Sequence, residues 1–370
     1  MALHNRIDTE QAANRLAQWL GTKYAAAQDI AVTGLEVPNA AGMSNETVLF
    51  NASWREDGTR KTHGMVARVQ PGGPGVFIEY DLEKEARVLS ALGKHTSVAV
   101  PRLLFFEEDP SIFGSPFLVM NRIDGRAPGD DPAFTTDGWV LDLTAEQRRT
   151  MWLNSIEVLA QVHATDWKAI GLEFLDSPHH YAGLPGQLKL WRDTFEWATE
   201  GEPNPTVEAT LDWLGDNMPA DRGPQVLCWG DSRPGNILYD GQLSAAAVLD
   251  WEMVCIAHRE YDLGWLLFTT RHHTEGIGAP LPDGFLDRAA TIARYEEITG
   301  HRVEDIDYYE VFGGVRLAII MVRAAHMLIA AGALPPDSTM AQSNPASQLV
   351  AKLIGLPPPT GAAASYIGNR

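Results

Sequence analysis

The stretch that decides the reading is residues 226–265, VLCWGDSRPGNILYDGQLSAAAVLDWEMVCIAHREYDLGW. An apolar run, residues 226–229, leads into a sharp loop over 230–235 that Asn236 closes. Residues 237–239 predict a short strand, Asp240-Gly241 a hairpin turn, and 245–249 the return strand. Such a hairpin folds Asn236 and Asp250 back towards one another, at the end that also holds Asp231. Carboxylate and amide oxygens are what a hard cation such as Mg²⁺ takes, usually from one or two protein carboxylates plus substrate phosphates. Asn236 and Asp250 are therefore candidate metal ligands. Asp231, five residues before Asn236, is left to orient a hydroxyl group. A lone Gly-Asp followed by an Asn is a weak signal. Joined to Asp250 fourteen residues beyond that Asn, in a hairpin, it becomes specific.

Length and composition bound the alternatives. A chain of 370 residues suits two lobes or one large domain. Its 48 Asp and Glu outnumber 29 Lys and Arg, for a net charge of −19. That argues against nucleic acid or an anionic membrane surface as a partner of the whole surface. Two cysteines make no disulfide framework and suit a reducing compartment. The first 24 residues carry charges throughout and no apolar leader. The longest apolar run, 317–334, is broken by Arg323, His326 and Gly332 and reads as a buried helix. Together these features predict a cytoplasmic protein that neither binds nucleic acid nor spans a membrane. Nothing in the sequence fixes the oligomeric state.

Outward from the central stretch, the chain changes character once. A first helix carries Thr9 as its cap, with Ala13, Leu16 and Leu20 on one face. Residues 30–120 then read mostly as strands, including 47–54 and 64–70, joined by a polar stretch with Asp57-Gly58. Residues 79–92 predict a helix, and 117–123 a further strand. The turn-rich acidic stretch 125–138 is the natural boundary. Beyond it the pattern is helical: Thr144 and Gln147 form a capping box, and helices are expected over 188–197 and 206–217. The Pro-, Gly- and Ala-rich tail, 355–370, is expected to fray.

An Asp five residues before an Asn, then a second acid after a short hairpin, is the layout of phosphoryl transfer in kinase-like folds. The segment resembles the aminoglycoside/choline-kinase-like phosphotransferase family, in the branch related to kinase-like domains found beside acyl-CoA dehydrogenases. Trp229-Gly230-Asp231, Asn236, Val248-Leu249-Asp250-Trp251-Glu252 and Tyr261-Asp262-Leu263 carry the resemblance. One departure is Trp229, where many relatives have a His that packs the catalytic loop. The resemblance implies an α+β, bilobal, protein-kinase-like fold, with a small β-rich N-lobe over 1–123 that binds nucleotide. A larger, mainly helical C-lobe over 124–370 then holds the catalytic groups and the acceptor. The implied cosubstrate is ATP, with GTP as the alternative, together with Mg²⁺. The implied partner is a small molecule bearing a hydroxyl group.

Carried over residue by residue, Asp231 is the catalytic base and Asn236 and Asp250 the metal ligands. A G-x-S-N-x-T loop over 42–47 offers Ser44, Asn45 and Thr47 to the nucleotide phosphates. Arg68 takes the strand position of the phosphate-gripping Lys, and Glu85 is its partner acid. Residues 117–122, with Met120, stand where such folds place the hinge that pairs with adenine. Each residue also has a plainer reading. Arg233 reaches the transferring phosphate or is a surface arginine. Glu85 stands among Glu79, Asp81 and Glu83, all ordinary acids of a helix surface. Glu252 holds the loop by a salt bridge or joins the site. Asp262 reads as a buried brace, and His163 as a hydrogen-bonded core histidine. Trp191, Trp197, Trp213 and Trp265 read as core, Cys228 as packing, and no His or Cys shows zinc-ligand spacing. The stretch 124–142 and helices over 188–217 are expected to shape the acceptor pocket. Cationic amino-sugars or choline, and anionic hydroxyacyl or CoA-linked compounds, both remain open as acceptors. Beside the kinase reading stand a nucleotide-binding module that no longer transfers phosphate and an interaction protein without nucleotide.

Overall fold

Alternation of side chains builds the first part of the molecule. Val48, Phe50, Ala52 and Trp54 lie on one face of β2 (Glu46–Glu56), with Met65, Ala67 and Val69 on β3 (Thr59–Val69). Phe117 and Val119 of β5 (Phe117–Asn121) join them. The two-residue period of a strand puts all of these against Leu16 and Leu20 of α1 (Thr9–Lys23). With β1 (Gln28–Glu36) and β4 (Leu103–Glu107), the strands form an antiparallel sheet in the order β1-β2-β3-β5-β4. The buried face of α1 runs through Ala12, Leu16 and Leu20; Ala13, expected there, is only half-buried.

The same parity sends the even residues of β3 to the opposite face. There Arg68 stands across from Thr47 on β2 and Leu118 on β5. The β2 and β3 strands run longer than expected and meet at a two-residue turn, Asp57-Gly58, with φ of 49° and 76°. Positive φ at both central residues is what a tight hairpin turn requires, and Asp-Gly supplies it cheaply. The helix expected over 79–92 is α2 (Leu82–His95). It starts late because the Asp81 carboxylate accepts the Lys84 N–H at 2.8 Å and so caps it.

The structure is a computed structural model that describes residues 9–38, 45–73, 75–221 and 223–361. Gly42 and Ser44 of the expected phosphate loop, and the end of the tail, lie outside the described residues. The chain divides into two compact units, Met1–Gly93 with Pro101–Asp124, and Lys94–Val100 with Gly125–Arg370.

The second unit is mainly helical, so the chain is α+β with a small antiparallel sheet and a larger helical part. Its helices are α3 (Ala145–His163), α4 (Gly183–Ala198), α5 (Pro205–Asp216), α6 (Glu260–His272), α7 (Arg288–Thr299), α8 (Ile306–Ala330) and α9 (Pro345–Ile354). Four others, α4, α5, α6 and α9, pack on α8. By length and composition α8 could cross a membrane, but 78% of its most apolar window is buried in the unit. It is the core helix expected around 317–334. Two small sheets complete the unit: β6 (Val226–Cys228) with β9 (Cys255–Ala257), and β7 (Ile237–Tyr239) with β8 (Ala245–Val248). The Val248 N–H donates to the Ala99 carbonyl at 2.7 Å, which ties residues 94–100 to this unit.

Two expectations need correction. The turn of the β7–β8 hairpin is not a two-residue Asp-Gly turn. The Asp240 carboxylate instead accepts the Gln242 and Ser244 N–H groups at 2.8 and 2.9 Å. That makes a longer loop, with Leu243 rather than Gly241 in the left-handed region at φ 63°. The expected hinge over 117–122 is also mostly strand. Residues 117–121 are an interior strand, with Met120 opposite Val66 of β3 on one side and Leu103 of β4 on the other. A backbone with strands on both sides is committed to the ladder rather than to adenine.

The Thr144–Gln147 capping box is present, with the Thr144 hydroxyl accepting the Gln147 N–H at 3.2 Å. Thr144→Ala is expected to cost about 1 kcal/mol. Urea denaturation would show this as a lower midpoint at unchanged slope.

Candidate active site

Everything around Asp231 depends on how its loop is held. Gly230 adopts φ 90°, and a Cβ there would collide with the Met253 carbonyl, so only glycine makes this turn. Asp262, in the first turn of α6, clasps the loop from below. Its Oδ2 accepts the Trp229 N–H at 2.6 Å and its Oδ1 the Gly230 N–H at 2.8 Å. Its backbone carbonyl accepts the Ser232 hydroxyl at 2.7 Å. His163, the last residue of α3, places Nε2 3.1 Å from Asp262 Oδ2 and Nδ1 2.6 Å from the Tyr295 hydroxyl. A carboxylate can only accept, so Nε2 donates to Asp262; in a neutral ring Nδ1 then accepts from the Tyr295 hydroxyl. Above the loop, the Gly230 carbonyl accepts from Nη2 of the fully buried Arg316 at 2.6 Å. That guanidinium lies 4.3 Å from the Tyr261 and Trp265 ring centres and 5.4 Å from that of Trp191.

The tryptophan that departs from the family pattern has a structural task. Trp229 Nε1 donates to the carbonyls of Leu249 and Asp250 at 2.8 and 3.1 Å, tying the Asp231 loop to the Asp250 turn. The Leu249 N–H donates to the Asn236 carbonyl at 2.8 Å. The hairpin thus brings Asn236 and Asp250 together at the backbone, as its spacing implied. Asp250 has φ 63°, an uncommon conformation that Asp tolerates better than most residues.

Asp231 is 8% exposed and held on both oxygens. Oδ1 accepts from Trp265 Nε1 at 2.7 Å and from Arg233 Nε at 2.9 Å, and Oδ2 accepts from Asn236 Nδ2 at 2.7 Å. Arg233 is half-buried rather than a surface residue. Its Nη1 pairs with Asp130, so both charged contacts are to carboxylates. Loss of water by itself would lower the Arg233 pKa, but Asp130 and Asp231 overcome that and raise it.

Asn236 spends its amide nitrogen on Asp231, which turns its carbonyl oxygen away from that carboxylate. With the half-buried Asp250 beside it, the donor set is one amide oxygen and one carboxylate, and it fits a hard cation that also binds phosphates. The other compact acidic cluster among the described residues, His163, Cys228 and Asp262, does not fit a metal. Both His163 nitrogens and both Asp262 oxygens are hydrogen-bonded, and burial pushes the Cys228 thiol well up, keeping it protonated.

In the sheet unit, Arg68 and Glu85 form a buried ion pair, with Nε 3.3 Å from Oε1. Glu79, Asp81 and Glu83 are exposed while Glu85 is 2% exposed, so Glu85 is no surface acid. It shares the inward stripe of α2 with Leu82, Ala86 and Leu89. Asn45 is buried and Thr47 half-buried on the Arg68 side of β2. The residues that sequence reasoning missed are Asp130, Trp265 as a ligand of Asp231, and Arg316.

An antiparallel five-stranded sheet with a helix-borne acid on a strand arginine, in a chain whose helical unit carries a braced Asp-Asn loop, defines a kinase-type phosphotransferase. Residues 37–298, more than two-thirds of the chain, match the phosphotransferase enzyme family model. The chain belongs to that family and is a phosphotransferase enzyme. A Ralstonia eutropha JMP134 structure assigned as an aminoglycoside phosphotransferase superposes with a TM-score of 0.68 and 24% identity, covering 95% of this chain and 99% of that one. The GDP complex of aminoglycoside 2'-phosphotransferase-IIIa gives a TM-score of 0.55 at 15% identity, over 93% and 98% of the two chains. These establish the fold. Among curated proteins, the Arabidopsis thaliana acyl-CoA dehydrogenase IBR3 is 26% identical over 275 residues, 70% of this chain and 32% of that one. Acyl-CoA dehydrogenase family member 11 of Gallus gallus is 29% identical over 205 residues, 54% and 24% of the two. The chain thus spans about a third or less of the curated relatives it matches.

Asp262→Ala leaves two buried backbone N–H groups without an acceptor, at about 1–3 kcal/mol each. We expect a melting temperature several degrees lower and loss of phosphotransferase activity. A variant as stable as the wild type would contradict the brace.

Proposed function

We propose that this chain transfers the γ-phosphoryl group of ATP to a hydroxyl group of a small molecule, with Asp231 as the base and Mg²⁺ as the metal. The observation that carries this reading is the bonding of Asp231. A carboxylate has about four acceptor positions. Three are filled by Trp265, Arg233 and Asn236, two of them on Oδ1. The open position, on Oδ2, suits an incoming hydroxyl, which Asp231 orients and whose proton it accepts. Alignment does most of the work in such transfers, and a rigidly tethered carboxylate supplies it.

Asn236 and Asp250 hold Mg²⁺, which when bound neutralises charge on the nucleotide phosphates. Arg68, fixed by Glu85, binds the α- and β-phosphates, and Ser44, Asn45 and Thr47 donate to phosphate oxygens. Met120 contributes to the adenine site through its side chain alone. In this reading residues 1–123 serve the nucleotide, and 124–370 serve catalysis and the acceptor. Related solved structures hold GDP in one case and ADP with hygromycin B in another, which supports a purine nucleotide and a small hydroxylated acceptor. The stretch 124–142 and helices α4 and α5 are our candidates for the acceptor walls. We take the protein to act in the cytoplasm without nucleic acid or membrane.

The test is an acceptor panel read by mass spectrometry with Mg·ATP. It should span cationic amino-sugars, choline and CoA-linked hydroxyacyl compounds. Asp231→Ala should lower kcat by ~100- to 10,000-fold. ATP binding with no Asp231-dependent turnover would overturn the proposal. Trp265→Phe keeps the ring and deletes one donor to Asp231; we expect kcat about tenfold lower with little change in KM for ATP. Glu85→Ala breaks a buried ion pair and should cost ~3 kcal/mol or more of stability while raising KM for ATP. Chelation with EDTA should abolish transfer, and added Mg²⁺ should restore it.

A further inference from the structure

The stretch between the sheet unit and α3 contributes one acid that the phosphotransfer reading does not use. Asp130 pairs through Oδ2 with Arg233 Nη1, while Nε at the other side of that guanidinium donates to Asp231 Oδ1. Asp130 therefore reaches the candidate base through one arginine. The approach is close: a Cβ at Gly235 would stand 2.7 Å from Arg233 Nη1 and 2.9 Å from Asp130 Oδ1, so glycine keeps this space open. The segment is anchored there as well. The Thr135 hydroxyl donates to the His273 carbonyl just beyond α6, and His273 Nε2 lies 3.9 Å from Asp130 Oδ1.

The charges favour an ionised Asp130. Its side chain is 39% exposed but rests on the buried His273. Loss of water would raise its carboxyl, yet Arg233 and His273 outweigh this and leave it below its ordinary value. Burial pushes His273 down and takes His272 to about 3, and the ion pair that Asp130 makes is with Arg233 Nη1.

A guanidinium beside a carboxylate prefers to grip it with two parallel N–H groups. Arg233 gives Asp231 only one, through Nε; Asp130 holds the guanidinium at Nη1, and Nη2, the nitrogen that could join Nε in a two-pronged grip, makes no hydrogen bond to Asp231. A two-pronged grip would fill the one acceptor position that Asp231 has left.

We propose that Asp130 is a positioning residue: by holding Arg233, it keeps the guanidinium single-pronged on Asp231 and leaves Oδ2 open to the acceptor hydroxyl. This inference rests on the phosphotransferase reading of Asp231. It extends the active site into the stretch 124–142 and gives Arg233 a role at the base rather than at the phosphate.

The experiment has a structural arm and a kinetic arm, both on the full chain. In a crystal structure of Asp130→Ala, a second Arg233 nitrogen should lie within hydrogen-bond reach of Asp231 Oδ2. An Arg233 still bound through Nε alone overturns the proposal. In the kinetic arm, Asp130→Ala should lower kcat by ~10- to 100-fold, the scale of a small misplacement of reacting groups. KM for ATP should stay within about twofold. Asp130→Asn keeps the shape, guards against misfolding, and should lose less. The double variant Asp130→Ala with Arg233→Ala should be no slower than Arg233→Ala alone, because without the arginine nothing needs holding. Losses that multiply in the double variant overturn the proposal. A wild-type enzyme that moves no phosphate would sink the phosphotransferase reading itself, and the crystal arm would still decide the Arg233 claim.

Discussion

The site hangs on one carboxylate that takes no part in the proposed chemistry. Asp262 accepts two consecutive backbone N–H groups, those of Trp229 and Gly230, and is itself oriented by the His163–Tyr295 pair. Buried N–H groups left without partners are expensive, so this clasp fixes the loop in a single conformation. The positive φ of Gly230 and the Arg316 contact to its carbonyl act on the same loop. Asp231 thus inherits its position from α3, α6, α7 and α8 together.

On that base, the proposed role of Asp231 rests on arrangement more than on intrinsic basicity. Its three donors come from three places: the indole of Trp265 on α6, the amide of Asn236 in the loop, and Arg233 backed by Asp130. Each donor removes one orientation the carboxylate could adopt. What is left is one acceptor position with a defined direction, which alignment-driven phosphoryl transfer requires. In the proposed reading the Asn236 amide serves twice, donating to Asp231 and offering its oxygen to a cation. Asp231 and the proposed metal ligands are then coupled through one side chain.

The sequence carried the local half of this. The spacing of Asp231, Asn236 and Asp250 was readable because a short hairpin turns sequence distance into proximity. The buried role of Glu85 was also available, since it falls three residues after Leu82 and four before Leu89 on the inward stripe of α2. The interior position of Met120 was signalled by the unbroken apolar run FLVM, which suits a strand with neighbours on both edges. Asp130, Trp265 and Arg316 left no local trace. Trp265 reads as one more core aromatic until α6 turns its N–H onto Asp231. Arg316 sits in an apolar helix, where only the aromatic faces of Trp191, Tyr261 and Trp265 show why a cation is tolerated. These roles arise from contacts tens to more than a hundred residues apart, and no periodicity encodes them.

The central claim is a division of labour: Asn236 and Asp250 take the cation, and Asp231 is kept for the hydroxyl. A crystal structure with Mg²⁺ and a non-hydrolysable ATP analogue tests it most directly. The account predicts metal bound to Asn236 Oδ1 and the Asp250 carboxylate, with Asp231 still held by Trp265, Arg233 and Asn236 and its Oδ2 open. A metal ion coordinated by Asp231 would contradict it.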